Sequence, residues 1–137
     1  MPAVSITNDW WLELDESFER RTEGGDLVLW HGTRTVYASV FRGSNADADA
    51  AIAAMLEARK EAPVRTFERV EASVTGHAYL LPEHDEERGD YWGLNTWTAG
   101  PESVACVTFY FQRLNDLDWA VAAWGSVHCG ACDRYVN

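Results

Sequence analysis

Two long runs of alternating side chains meet at Gly100-Pro101, and no other stretch of the sequence restricts the fold as tightly. Tyr91 to Ala99 and Ser103 to Gln112 both repeat with period two, as strands do. With Ala99 to Glu102 as the loop, Thr98 pairs with Ser103. Leu94 then lies opposite Val107, Trp92 opposite Phe109 and Thr96 opposite Ala105 on one apolar face. The other face sets Trp97 beside Val104, Asn95 beside Cys106, Gly93 beside Thr108 and Tyr91 beside Tyr110. Aromatic groups on both faces call for cover on both sides, or for one face kept open as a binding surface.

The rest of the chain divides into strands and two helices. Trp10, Leu12 and Leu14 alternate with Trp11, Glu13 and Asp15, and Gly24-Gly25 marks a turn. Leu27 to His31 and Arg34 to Arg42 form a hairpin around Gly32-Thr33. Ser44 or Asn45 caps a helix over 45–62 with Ala48, Ile52, Met55 and Leu56 on one face, stopped by Pro63. Strands follow at Val64 to Val74 and Gly76 to Leu81, then a polar turn from Pro82 to Asp90. Asn115 or Asp116 caps a closing helix with Leu117, Ala120, Val121, Trp124 and Val127 in one stripe. The order β-β-β-α-β-β-β-β-α predicts an α+β sandwich with an antiparallel sheet of about six to seven strands and two main helices. With 137 residues, no repeat and no linker, it forms a single domain over 1–137, its core over 6–127 and a short cysteine-containing tail over 128–137.

Charge narrows the partners. Twenty-two acids against eleven bases give a net charge of −11, the wrong sign for a nucleic-acid backbone. No apolar stretch approaches the roughly 18 residues of a membrane span. The first residues lack the basic and apolar segments of a secretory signal, which predicts a cytoplasmic protein. Three cysteines, an odd number, make no disulfide framework, so reduced thiols are expected. The basic residues are arginine except for Lys60, a composition that points to a bacterial source.

The element order and the aromatic strand Val107-Thr108-Phe109-Tyr110-Phe111, leading to the closing segment Trp119 to Val127, resemble the α/β/α sandwiches of the PsbP, Mog and DcrB-like family. The likeness covers Ile6 to Val127. The family's apolar-proline opening is absent here, and the tail His128-Cys129-Gly130-Ala131-Cys132 departs from its pattern. The resemblance implies a protein-binding domain without catalytic residues, since members mostly bind other proteins.

Two kinds of candidate site follow. Cys129 and Cys132, three apart, can chelate zinc with His128 and a fourth ligand such as His31 or His77; a terminal turn with spectator thiols is the competing reading. Ser126 and His128 lack the turn that would expose a nucleophile. The acidic run Glu83 to Asp90 reads as a solvated hairpin tip rather than a calcium loop. The aromatic groups are the stronger signal, for the chain holds seven tryptophans. On a helical wheel Trp119 falls about 200° from Leu117, on the polar side, where it would anchor a partner or be covered by a loop. Tyr91, Trp97 and Tyr110, around Gly93 and Asn95, form a second aromatic platform, open to a ligand or covered by a helix.

The expected function is a non-catalytic, cytoplasmic protein-binding domain: an adaptor, a secretion chaperone or an inhibitor. Its aromatic surface supplies affinity while its acidity steers a basic partner. A homodimer would use the same surface. No cofactor is expected on this reading. The alternative is a small-molecule or metal-binding domain, or an enzyme, built on the aromatic pocket or on zinc held by Cys129, Cys132 and His128.

Overall fold

The computed structural model describes residues 3–71 and 73–130. In chain order the elements are β1 (Ala3–Ser5), β2 (Trp10–Glu13), β3 (Glu19–Glu23), β4 (Asp26–His31), β5 (Arg34–Arg42), α1 (Asn45–Arg59), β6 (Arg65–Val70), β7 (Thr75–Asp85), β8 (Gly89–Ala99), β9 (Ser103–Phe111), a 3-10 turn (Leu114–Asp116), α2 (Leu117–Gly125) and β10 (His128–Cys129). The fold is α+β and sandwich-like. A seven-stranded antiparallel sheet runs in the order β3-β4-β5-β9-β8-β7-β6, and a three-stranded antiparallel sheet in the order β1-β2-β10.

The β8–β9 hairpin keeps the expected faces with its register moved by two residues. Ala99 pairs with Val104, Leu94 with Phe109 and Trp92 with Phe111. The Gly100 N–H donates to the Ser103 carbonyl at 2.9 Å, so the loop is only Pro101-Glu102. An even shift leaves every side chain on its own face, which is why the inner and outer sets survive the error. The stretch expected as a polar turn, Pro82 to Asp90, is mostly strand. Asp85 pairs with Gly89, whose φ of 71° closes a three-residue loop.

Helix α1 begins as expected and ends early. Ser44 and Asp47 form a capping box: the Ser44 hydroxyl accepts from the Asp47 N–H, and the Asp47 carboxylate accepts from the Ser44 N–H at 2.9 Å. Lys60 takes the left-handed conformation, φ 56°, and terminates the helix before Pro63 can. Strand β3 carries no sequence signal because all five of its residues are exposed. It exists because Gly24 and Gly25, φ 59° and 91°, fold it back on β4, a turn that needs positive φ at both positions.

Both faces of the large sheet carry a helix. On the inner face Leu29, Val36, Leu80, Leu94, Val107 and Phe109 meet α2 and strand β2, through Leu117, Ala120, Trp124, Trp10 and Leu12. On the outer face Trp97, Ala99 and Val104 meet α1 through Ala48 and Ile52. The tail expected outside the core contributes to it, since Cys129 is 1% exposed and β10 pairs with β2.

Helix α2 has nine residues, too few to hold itself together in water. Tertiary bonds hold it instead. The Trp124 indole donates to Thr98 Oγ1 at 3.1 Å. Arg69 of β6 donates to the carbonyls of Trp124 and Val127, at 3.2 and 2.6 Å, satisfying the open C-terminal end. The Trp124 ring approaches the sheet over Gly76, where a Cβ would lie 2.5 Å from the Trp97 carbonyl oxygen and 3.2 Å from Trp124 Cζ2. Gly76→Ala is therefore expected to destabilise the fold by about 1–3 kcal/mol, read as a lower urea midpoint with an unchanged slope. An unaltered midpoint would show that the approach is not tight.

Candidate functional site

Helix α1 leaves β5 at its Arg42 end and finishes beside Glu83 of β7, so it crosses the outer face of the sheet and covers only part of it. Its C-terminal end is clamped. Arg59 donates to both Glu83 carboxylate oxygens, at 2.9 and 3.0 Å, and to the Pro82 carbonyl at 3.1 Å. The Glu83 bonds, and then Glu61, hold the Arg59 guanidinium even more firmly charged than usual. Gly93 lies beside this pair. A Cβ there would fall 3.1 Å from Glu83 Oε2 and 3.1 Å from Tyr110 Cε1.

Beyond the clamp the outer face carries a row of tyrosines. Tyr110 lies edge-on to Tyr91 and to Tyr37, with ring centroids 5.8 Å apart in both pairs, a geometry that favours contact between aromatic rings. Burial raises the Tyr110 hydroxyl pKa above its ordinary value, and the Glu83 charge adds to it. Burial raises that of Tyr91 as well, helped by Asp85 and Glu83. Both are neutral hydrogen-bonding groups at physiological pH.

Next to the row, a cleft of about 480 Å³ opens between β4, β5 and the β7–β8 hairpin tip. Val28, Trp30 and Tyr37 supply apolar surface, Thr33, Thr35 and Gln112 polar groups, and Arg21 and Arg88 charge. Each guanidinium lies over a ring: Arg88 4.3 Å from the Tyr91 centroid, Arg21 5.1 Å from that of Trp30. The Arg88 side chain also donates to the Thr33 carbonyl at 3.3 Å, tying the hairpin tip to the β4–β5 turn.

The four aromatic residues singled out in the sequence do not form one surface. Tyr91 and Tyr110 are in ring contact, although the register shift sets Tyr110 opposite Gly93 and not opposite Tyr91 as expected. Trp97 is fully buried beneath α1, so it is core and not a contact residue. Trp119 lies on the opposite side of the sheet and is half-buried: Phe109 meets it edge-on at 5.8 Å, Phe18 stacks at 6.1 Å, and the Arg34 guanidinium sits 4.5 Å from its ring. Glu16 and Asp116 fix that guanidinium at 2.9 and 3.0 Å. The expected exposed anchor is thus covered by the segment before β3. Tyr37, Trp30, Arg21 and Arg88 escaped sequence reading, because only the pairing of β4, β5 and β9 and the fold-over of the hairpin tip bring them together.

The tail departs from the reduced thiols expected of it. Cys129 is disulfide-bonded rather than a reduced thiol, and Cys132 lies outside the described residues. His128 sits edge-on to Trp11, centroids 4.3 Å apart, with Nδ1 2.6 Å from the Ser126 carbonyl. The Ser126 hydroxyl is committed to structure, accepting from the Glu13 N–H at 2.8 Å and donating to the Ala123 carbonyl at 2.6 Å. His31 pairs with Glu16 and His77 with Glu68, at 3.0 and 2.8 Å. His77 also touches Trp97, across the sheet from Cys129. Among the described residues no three His, Cys, Asp or Glu side chains gather around one point, and no helix is long and apolar enough to cross a membrane.

No family model matches the sequence, and no curated protein does. Among solved structures, a protein of Bacteroides thetaiotaomicron VPI-5482, determined by crystallography at 1.50 Å resolution, is similar with a TM-score of 0.62 and 13% identity over 88% of this chain. This chain spans 44% of that protein. At such identity the likeness carries the fold alone.

The raised tyrosine values have a measurable consequence. A phenol whose folded pKa exceeds its unfolded value near 10 releases its proton more readily from the unfolded chain, so stability falls as pH rises above about 10. Tyr110→Phe is expected to flatten that alkaline decline, measured by denaturant unfolding across pH 8 to 11. An identical pH slope in the variant would place Tyr110 in an ordinary aqueous environment.

Proposed function

We propose that the protein is a non-catalytic binding domain that docks a protein partner on the tyrosine-lined end of its outer sheet face. The observation that carries this reading is the run Tyr37, Tyr110 and Tyr91 beside a cleft walled by Trp30, Arg21 and Arg88. Tyrosine, tryptophan and arginine dominate binding energy at protein interfaces, because they bury much surface at small entropic cost. Among the described residues the cleft lining offers hydroxyl, amide, guanidinium and aromatic groups and no carboxylate, imidazole or thiol. Such a set holds a partner rather than moving protons at neutral pH.

The resemblance to the PsbP-like sandwiches adds to the same reading, as does the cytoplasmic setting expected from the sequence. The −11 charge favours the approach of a basic surface. Cleft volume also falls in the range of small-molecule sites, and that is the runner-up.

The test is retention of a cellular protein by the tagged domain, compared with Tyr37→Ala and Tyr91→Ala forms that melt like the wild type. One retained protein, lost by about 30-fold in affinity from each variant, is the expected result for residues worth about 2 kcal/mol at an interface. Retention unaffected by both substitutions would remove this face from the binding surface.

A further inference from the structure

Arg88 differs from the arginines that hold the fold. Arg34 and Arg59 bridge separate elements through carboxylates, and Arg69 pairs with Glu71 while bridging to the end of α2 through backbone carbonyls. The Arg88 guanidinium lies over the Tyr91 ring and bonds the Thr33 carbonyl, and among the described residues it makes no ion pair with a carboxylate. It is held in place on the cleft wall with its fork free of any carboxylate, while the Asp85 carboxylate beside it accepts from the Arg88 backbone N–H at 2.5 Å. Arg21, facing the same cleft, shares its charge with Glu23 at 2.9 Å. In a chain with 22 acids and 11 bases, the described residues that line the cleft include two arginines and no acid.

We propose that the cleft takes an extended acidic segment of a partner protein, with a side-chain carboxylate bound by Arg88 and the neighbouring residues packed on Tyr37 and Trp30. This rests on the docking function proposed above. A guanidinium already oriented by a ring and a carbonyl loses little freedom when a carboxylate accepts from it, and its planar fork suits two parallel bonds. The chain's acidity gives such a segment no long-range attraction, and Asp85 and Glu23 lie beside the two arginines. Its affinity therefore comes from direct bonds to the Arg88 fork and from ring contact, at distances where remote charges are screened. The cleft is open to solvent, so a free small acid would stay largely solvated there, whereas a chain segment covers the rings beside the carboxylate.

The probe is a short fluorescein-labelled peptide of alternating Glu and Ala, titrated with the full chain and read by anisotropy at about 0.1 M salt. The matched Gln-Ala peptide, the Arg88→Gln and Arg88→Lys variants and unlabelled glutarate are the comparisons. Saturable binding of the Glu-Ala peptide is expected, at least about tenfold weaker for Gln-Ala and for Arg88→Gln, with Arg88→Lys in between because it keeps the charge without the fork. Equal binding of the two peptides, no loss in Arg88→Gln, or no saturation at millimolar protein would overturn the proposal. Displacement by glutarate at the peptide's own concentration would also overturn it, in favour of a small carboxylate. If a cellular partner is still lost on Tyr37→Ala while the Glu-Ala peptide is ignored, the docking surface stands and only its acidic occupant falls.

Discussion

Trp97 and Trp124 lie on opposite sides of one layer of backbone, and the arrangement of both helices follows from them. Strand β8 points Trp97 outward, where it is fully buried, and Thr98 inward, where it accepts from the Trp124 indole. Gly76, the partner of Thr98 across β7, keeps its position free of a side chain so that Trp124 can close on the sheet. Each large ring needs a lid of its own. Helix α2, with the small sheet, supplies the inner one, and α1 the outer one. Because the nine-residue α2 has little stability alone, its bonds to Thr98, Arg69 and the Glu13 backbone make it an extension of the sheet.

The outer lid is incomplete, and the candidate site occupies what it leaves bare. Of the residues in α1, only Ala48 is fully buried, and most of the rest are exposed alanines and acids. A single helix crossing a seven-stranded sheet cannot cover all of it. The Arg59–Glu83 clamp determines where cover stops, and Tyr37, Tyr91 and Tyr110 begin there. A row of half-buried tyrosines is stable in water because each ring is shared with a neighbour while its hydroxyl remains a polar group that can find a partner.

Local patterns made much of the fold readable. Alternation at Trp10 to Asp15 and along β4, β5, β8 and β9 predicted strands that are present, and the Ser44 cap of α1 lies where its residues place it. The failures have physical causes. Strand β3 is exposed on both faces, so it imprints no alternation. The β8–β9 register is not fixed by the pattern, because a two-residue and a four-residue loop leave the same faces buried. Lys60 ends α1 through a left-handed turn that its residue type does not advertise. Trp119 sits on the polar side of α2, yet Phe18 and Arg34 from elsewhere in the chain cover it.

Sequence by itself determined the α+β class, the central hairpin, both helices and the adjacency of Tyr91 and Tyr110, since each depends on side-chain periodicity or on residues within one hairpin. Tertiary structure alone decided which aromatic groups are core and which are surface. Whether Trp97 lies under a helix, whether Phe18 reaches Trp119, and whether Arg21 and Arg88 face one cleft are contacts between segments tens of residues apart. Such contacts come from how sheet and helices close on one another, and a one-dimensional pattern of apolar and polar residues holds the burial of each face without recording which distant segment supplies it.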